Sequence, residues 1–432
     1  MTSTDGALAS FRLRLNFPFT LGVYLGINAI RGAYLLVDGP DCAFLKAGHL
    51  WGRHDFRSTL LDPTGDHRIA FSGSDGRSPG ELEQRLEELS RLSAAELVML
   101  TSLPATACHA PSSPATGQVE VAASAEAASQ FAGRTDTPVL HLPGGSLEGD
   151  WLDGYAALLE VLARQLPLDT GKRLPQDVGI VGHLFDRNEG DQFGNVAELE
   201  RLLGRCDLEL VSIWLAGSPA AELARIGRAG TIVSLPYGRA AARALCDRTG
   251  AKLVELDLPV GLAPTAAWLR KVARACDRVS AAERAIEREL RAAVGRLEPV
   301  VGRHLLGRTF FLGQDPFVAA GLVELLEELG GEVTGGVIPA RATHAGSLIL
   351  PDRLAGDTFV FEPREAALEA IASSVECDLS IANSDLGGVL PGRSIELGFP
   401  SARYHVLGSR PWMGFAGTVE LVERIVNELM RR

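Results

Sequence analysis

Short apolar runs alternate with amphipathic stretches along this chain of 432 residues, and this order limits the folds that it can adopt. The clearest strand-like runs are ELVML (96–100), DVGIVG (177–182), GTIVSL (230–235), RTFFLG (308–313) and DLSIAN (378–383). Further strands are predicted at 138–142, 208–215, 251–258, 332–338, 343–350 and 403–408. Because a repeated strand-then-helix order is typical of parallel, doubly wound sheets, we predict an α/β fold with mainly parallel sheets.

Amphipathic patterns predict the helices between these strands. They lie at 79–92, 196–206 and 315–331, and one long helix is predicted at 280–307. We expect Ser280 to cap the long helix and Glu283 to complete a capping box, since a serine followed three residues later by a glutamate is typical of helix starts.

Two segments divide the chain into three predicted domains. The polar stretch 166–176 carries two prolines and is followed by a new strand, and another strand follows the long helix near residue 300. We therefore predict an N-terminal domain at 1–171, a middle domain at 172–299 that ends in the long helix, and a C-terminal domain at 300–432.

Composition excludes several classes of function. The net charge of −12 argues against a nucleic-acid partner, whose binding surface would be basic. Six scattered cysteines without a CxxC pair favour a reducing cytoplasm over a disulfide framework. We see no secretion signal and no uncharged apolar run long enough to cross a membrane, so a cytoplasmic protein without a membrane partner is expected.

The stretch LLVDGPDC (35–42) is the most informative loop. Its apolar half predicts a strand, and Gly39 and Pro40 predict the turn that follows. Cys42 would then lie at the carboxyl end of a sheet strand, which is where ligands bind in open α/β sheets. From the residues alone, Cys42 can be a metal ligand, a reactive thiol or a small core residue.

Several longer segments resemble one family, the nitrogenase component 1 type oxidoreductases. They are HLLGRTFFLGQDPFVAAGLVELLEELGGEV (304–333), RPWMGFAGTVELVERIVNELMRR (410–432) and the segments 137–162 and 177–203. HDFRST (54–59) and LDLPVGLAPTAAWLRKVA (256–273) are similar to beta-type subunits and cofactor-assembly scaffolds. The order of these segments along the chain implies three Rossmann-like domains and a partner subunit.

The resemblance also gives the loop after the first strand a meaning. In the family this loop reads H-G-P-x-G-C, and its cysteine ligates an iron–sulfur cluster at a subunit interface. Here the loop reads DGPDC, so Asp38 replaces the histidine and the glycine before the cysteine is absent. The resemblance implies a cofactor-binding loop and a metal ligand at Cys42, with Cys108 as a second candidate ligand. The implied loop residues are Gly39, Pro40, Asp41 and Cys42.

A [4Fe–4S] cluster takes about four ligands, mostly thiolates, so one good cysteine implies a cluster shared with a partner chain. That partner would be an alpha-like subunit or a second copy of this chain. No P-loop and no G-x-G-x-x-G motif is present, so we expect this chain to bind no nucleotide itself.

Three hypotheses of function follow from the resemblance. The first is a subunit of a nitrogenase-like reductase complex that receives electrons from an iron-protein ATPase. The second is a subunit of a scaffold on which a metallocofactor is assembled. The third is a descendant without a cluster that binds a small ligand.

Overall fold

The computed structural model of the protein describes residues 17–39, 68–72, 81–92, 94–102, 126, 128–131, 134–143, 149–354, 358–390, 392–401 and 403–431. The chain separates into two compact units. The N-terminal unit comprises Pro18–Asn188 and Val211–Leu253, and the C-terminal unit comprises Phe17, Glu189–Leu210 and Val254–Arg432. The division into three domains stays a prediction, and its boundary at 299/300 falls within a helix.

The first sheet belongs to the N-terminal unit. Its elements are α1 (Phe19–Asn28), β1 (Ala33–Asp38), β2 (Ile69–Phe71), α2 (Glu81–Ser90), β3 (Leu97–Ser102), β4 (Val139–Leu142) and α3 (Trp151–Gln165). The strand order is β2-β1-β3-β4 and all three pairs are parallel. Every residue of β1 and β3 is buried, which explains their continuous apolar sequences.

Local sequence determines where α3 begins and how closely it packs. The Asp150 carboxylate accepts hydrogen bonds from the backbone N–H groups of Leu152 and Asp153, and the Asp153 carboxylate accepts one from the Asp150 N–H, which forms a capping box. A Cβ atom at Gly22 of α1 would lie 1.7 Å from the Trp151 carbonyl oxygen. Glycine is therefore required where α1 crosses α3.

The second sheet contains β5 (Leu174–Val181), α4 (Gly190–Arg205), β6 (Glu209–Ile213), α5 (Ala220–Ala224), β7 (Ala229–Ser234), α6 (Arg239–Thr249) and β8 (Lys252–Glu255) among its elements in chain order. Its strand order is β6-β5-β7-β8, and β5 pairs with β7 in parallel. Helix α4 is part of the C-terminal unit. Helix α6 ends at Gly250, which has a φ of +71° and so takes the left-handed conformation common after helices.

The third sheet lies in the C-terminal unit. The elements there are α7 (Leu262–Ala275), α8 (Val279–His304), β9 (Thr309–Gly313), α9 (Pro316–Glu328), β10 (Glu332–Ile338), β11 (Phe359–Phe361), α10 (Glu365–Ser374), β12 (Leu379–Ala382), α11 (Ser384–Gly387), β13 (Ser394–Glu396) and α12 (Gly414–Met430). The order is β11-β10-β9-β12-β13 and every pair is parallel. The predicted α/β class with parallel sheets is confirmed.

Three local predictions were wrong. Residues 343–350 form no strand, because a short 3-10 helix occupies Ala342–Ser347. Residues 403–408 form an irregular loop, held by hydrogen bonds to distant residues that no local pattern reveals. Ser280 does not cap the long helix, which begins at Val279, and Glu283 instead forms an ion pair with Arg270 at 2.8 Å.

Within the described residues, no helix combines the length and the apolar character that a bilayer crossing requires.

Candidate functional site

Polar groups gather at the carboxyl edge of the first sheet, where β1 and β2 end. The Asp38 side chain is buried, with 1% of its residue surface exposed, and accepts a hydrogen bond from Ser72 Oγ at 2.9 Å. The Gly39 backbone N–H donates to the same Ser72 oxygen at 3.2 Å. The Ser72 N–H donates to the Val37 carbonyl at 3.0 Å. Ser72 therefore fixes both the carboxylate and the backbone at the point where the chain leaves β1.

Ser102 adds a second hydroxyl to this edge. It is the last residue of β3 and the register partner of Asp38 in the adjacent strand. Its side chain is buried, and within the described part of the chain its Oγ has no hydrogen-bond partner. A buried hydroxyl without a partner lowers stability, so its presence in a native sheet calls for a specific explanation such as a ligand.

Of the predicted site residues, the structure describes one, Gly39. Gly39 is buried at this edge and bonded to Ser72. Pro40, Asp41 and Cys42, which follow it, lie outside the described residues, and so does Cys108. Their roles stay predictions.

The other cysteines lie elsewhere in the fold. Among the four that the structure describes, Cys206, Cys246, Cys276 and Cys377, no disulfide is formed. Cys206 and Cys276 are buried residues that end α4 and α7. Burial raises the pKa of the Cys206 thiol to about 11, so it remains protonated at neutral pH. Because metal ligation requires the thiolate, Cys206 is a poor ligand candidate.

The described donors at the carboxyl edge do not by themselves fit an iron–sulfur cluster. They are one carboxylate and two hydroxyls, from Asp38, Ser72 and Ser102, whereas such a cluster takes mostly thiolates. The nearest cysteine in the sequence is Cys42, three positions after Gly39. A cluster at this edge would need thiolates from outside the described residues.

A second polar group lies after β5 in the same unit. His183 is fully buried, and burial lowers the pKa of its imidazole to about 4, so the ring is neutral at pH 7. Neither ring nitrogen has a hydrogen-bond partner within the described residues. Its carbonyl accepts a hydrogen bond from the Tyr155 hydroxyl at 2.6 Å. This histidine is therefore not poised to act as a general base near neutral pH.

Sequence reasoning missed Ser72 and Ser102. Ser102 had a usable signal, because it lies two residues after the predicted strand 96–100 and the carboxyl ends of parallel strands share one edge. Ser72 had none, because β2 is only three residues long and pairs with β1 from more than thirty residues away.

The model of one protein family, described as nitrogenase component 1 type oxidoreductase, matches residues 82–430. The chain belongs to the nitrogenase component 1 type oxidoreductase family. The resemblance found in the sequence is thereby confirmed.

Curated relatives in this family are distant. The chain is 22% identical to the nitrogenase iron-molybdenum cofactor biosynthesis protein NifN of Nostoc sp. over 67% of its length, and 23% identical to the NifN of Bradyrhizobium diazoefficiens over 68%. It is 29% identical to the nitrogenase molybdenum-iron protein beta chain of Methanothermobacter marburgensis over 41%. The matched regions span 66%, 65% and 39% of these relatives, which is less than two thirds of each.

Solved structures of the nitrogenase component 1 type share the fold. "Nitrogenase Cp1 at pH 6.5" aligns with a TM-score of 0.74 and 15% identity, over 96% of this chain and 93% of that chain. "Nitrogenase Cp1 at pH 5" aligns with a TM-score of 0.67 and 13% identity, over 96% and 88%. At these identities the similarity establishes the architecture alone.

Proposed function

We propose that this chain is a beta-type subunit of a metallocofactor-assembly scaffold of the nitrogenase component 1 kind. The observation that carries the proposal is the carboxyl edge of the first sheet, where Ser72 is hydrogen-bonded to Asp38 and Gly39, and Cys42 follows Gly39 by three positions in the sequence. Two of the three relatives described above are named for cofactor biosynthesis, and they match a larger share of the chain than the beta chain does.

In this proposal the metallocluster is the cargo of the scaffold. Cys42 supplies one thiolate ligand, and an alpha-like partner, or a second copy of the chain, supplies the others because this edge offers too few. Ser72 and Asp38 hold the start of the loop in place, as groups behind a metal ligand commonly do. The scattered cysteines are consistent with a reducing, cytoplasmic setting.

A second candidate function is a subunit of a reductase complex, favoured by the similarity to the beta chain. Its interfacial cluster, of the [4Fe–4S] type, would then be a resident electron carrier. Because the sequence has no P-loop, ATP hydrolysis would be performed by a separate iron protein that delivers electrons.

Iron content tests the role of Cys42. The chain is produced with its alpha-like partner, purified without oxygen and assayed for iron per complex, as the wild type, as Cys42→Ala and as Cys246→Ala. Cys246 lies in α6 and serves as the matched control. We expect Cys42→Ala to lose most of the iron and Cys246→Ala to retain it. Equal iron in all three proteins would contradict the proposal.

Turnover then separates the two candidate functions. A scaffold releases its cluster to an acceptor protein once per loading, and its iron falls in proportion to the transfer. A reductase consumes reductant and ATP over many cycles while its iron stays constant. Repeated turnover at constant iron would replace the scaffold by the second candidate.

A further inference from the structure

A cleft in the C-terminal unit, with a volume of about 370 Å³, is lined by four arginines. It lies between β13, the loop 403–410 and the last turns of α12. Four guanidinium groups and two carboxylates line it, an excess of two positive charges on a chain whose net charge is −12. The charged lining residues are Arg403, Arg410, Arg424, Arg431, Glu396 and Glu428.

The loop that carries two of these arginines is fixed at several points. Glu189, buried at the start of α4, accepts a hydrogen bond from the Val406 N–H at 2.5 Å. The Gly190 N–H donates to the Val406 carbonyl at 2.6 Å, and the Arg410 N–H donates to the Gly190 carbonyl at 3.2 Å. The backbone of the cleft wall is therefore built before any ligand is bound.

The carboxylates that line the cleft are already engaged. Glu396 Oε1 accepts hydrogen bonds from Ser384 Oγ at 2.6 Å and from Ser401 Oγ at 2.7 Å. Glu428 forms an ion pair with Arg431 at 2.9 Å. The Glu396 carboxylate is thus occupied by hydroxyl groups and does not compensate a neighbouring guanidinium directly.

Arg424 is buried without full compensation. Its side chain is 7% exposed and its Nε makes no hydrogen bond within the described residues. The carboxylate oxygen of Glu420 lies 3.7 Å from that Nε, and the same oxygen accepts a hydrogen bond from Arg410 Nε at 2.7 Å. Burial and the adjacent Arg410 charge lower the pKa of Arg424. Arg424 lines the cleft, and an anion bound there would compensate its charge.

Arg403 is the second arginine with spare capacity. The residue is exposed, and its guanidinium forms no ion pair with any residue that the structure describes. Arginine presents its N–H donors as a planar fork that matches carboxylate and phosphate oxygens in pairs. The cleft volume lies within the usual range for small-molecule sites.

We propose that this cleft binds a small multivalent oxyanion, of the phosphate or the carboxylate type, through Arg403 and Arg424. This inference does not depend on the proposed scaffold function, because all its residues belong to the C-terminal unit.

Calorimetric titration of the full chain at low ionic strength tests the proposal, with inorganic pyrophosphate and citrate as parallel probes. We expect at least one probe to bind saturably with a Kd below about 1 mM, and the better probe identifies the oxyanion type. Binding should weaken at least about tenfold in Arg403→Gln and in Arg424→Gln. Arg291→Gln, which removes an exposed arginine of α8 that pairs with Glu287 on the surface, should bind as the wild type does.

Three results would overturn the proposal. The first is that neither probe saturates by about 10 mM. The second is that Arg403→Gln binds as tightly as the wild type. The third is that Arg291→Gln loses as much affinity as the cleft variants, which would indicate a general charge effect. Because Arg403 is exposed, we expect Arg403→Gln to fold. Its affinity for the probes therefore tests the proposal even if Arg424→Gln does not fold.

Discussion

Asp38 is the last residue of β1 in the first sheet, and Asp378 directly precedes β12 in the third sheet. The surroundings of the two carboxylates differ. Asp378 precedes β12 at the amino edge of its sheet, where its carboxylate accepts hydrogen bonds from the Thr309 N–H at 2.9 Å and Arg308 Nη1 at 2.7 Å. Asp38 ends β1 at the carboxyl edge, where it accepts one from Ser72 Oγ, and the hydroxyl of its register partner Ser102 has no hydrogen-bond partner among the residues that the structure describes.

The difference follows from the polarity of parallel sheets. The Asp378 N–H also donates to Thr309 Oγ1 at 3.0 Å, so the contacts between these two residues are reciprocal. They join the first residue of β9 to the residue before β12, the neighbouring strand. Ligands of open α/β sheets bind at the opposite edge. The contacts of Asp378 thus join the starts of two strands, whereas at the edge of Asp38 the Ser102 hydroxyl has no hydrogen-bond partner within the described residues.

The largest effect on stability is expected at Asp38. Asp38→Ala removes the buried acceptor of the Ser72 hydroxyl and should lower the free energy of unfolding by about 2 kcal/mol. Urea unfolding measures the loss, and hydrogen exchange of peptides covering β1 and β3 locates it. Asp38→Asn retains an oxygen acceptor and should cost about half as much. A loss below about 0.5 kcal/mol for Asp38→Ala would mean that the carboxylate has no stabilising role.

A smaller effect is expected at Asp378. Asp378→Asn should cost about 1 kcal/mol at pH 7, because the carboxylate is partly exposed and its bonds face competition from water. The backbone N–H of Thr309, helped by Arg308, holds the pKa of Asp378 below its ordinary value of 3.8.

The pH dependence of this prediction has a definite sign. A carboxyl whose pKa is lowered by folding stabilises the protein above its ordinary pKa, and the contribution disappears as pH falls through the folded value. The difference between the wild type and Asp378→Asn should therefore be constant from pH 7 to about pH 5 and shrink below pH 4. A difference that stays the same down to about pH 3 would show that the ionised form is not what stabilises the strand ends.

The sequence predicted the backbone of the candidate site but not its side-chain contacts. Strand β1 follows from an apolar run that ends in Asp-Gly-Pro, which is local information, whereas the predicted turn at Gly39 and Pro40 extends beyond the described residues and stays a prediction. The bond from Ser72 to Asp38 depends on β2 pairing with β1, and the position of Ser102 depends on the order β2-β1-β3-β4. Such contacts arise from packing between segments that are distant in the chain.

The arginine cleft was not predicted, although part of it had a signal. Arg424 lies in α12, and Arg431 directly follows the last residue of that helix, seven positions later in the sequence. Arg403 and Arg410 join them only because Glu189 and Gly190 fix the loop 403–410. The strand predicted at 403–408 was wrong for the same reason. The sequence of this segment does not show that its backbone forms hydrogen bonds with Glu189 and Gly190.

Ser102 gives the smallest expected change in stability and the sharpest test of the comparison. Ser102→Ala removes a buried hydroxyl that has no hydrogen-bond partner in the described chain, so the free energy of unfolding should stay within about 0.5 kcal/mol of the wild type or rise. Ser72→Ala, which loses bonds to Asp38 and Gly39, should instead cost about 1–2 kcal/mol. If the hydroxyl serves a ligand, Ser102→Ala should also lower the iron retained by the complex while the protein remains stable. A loss of stability at Ser102 as large as that at Ser72 would make its hydroxyl a structural group, and the carboxyl edge would then resemble the closed arrangement at Asp378.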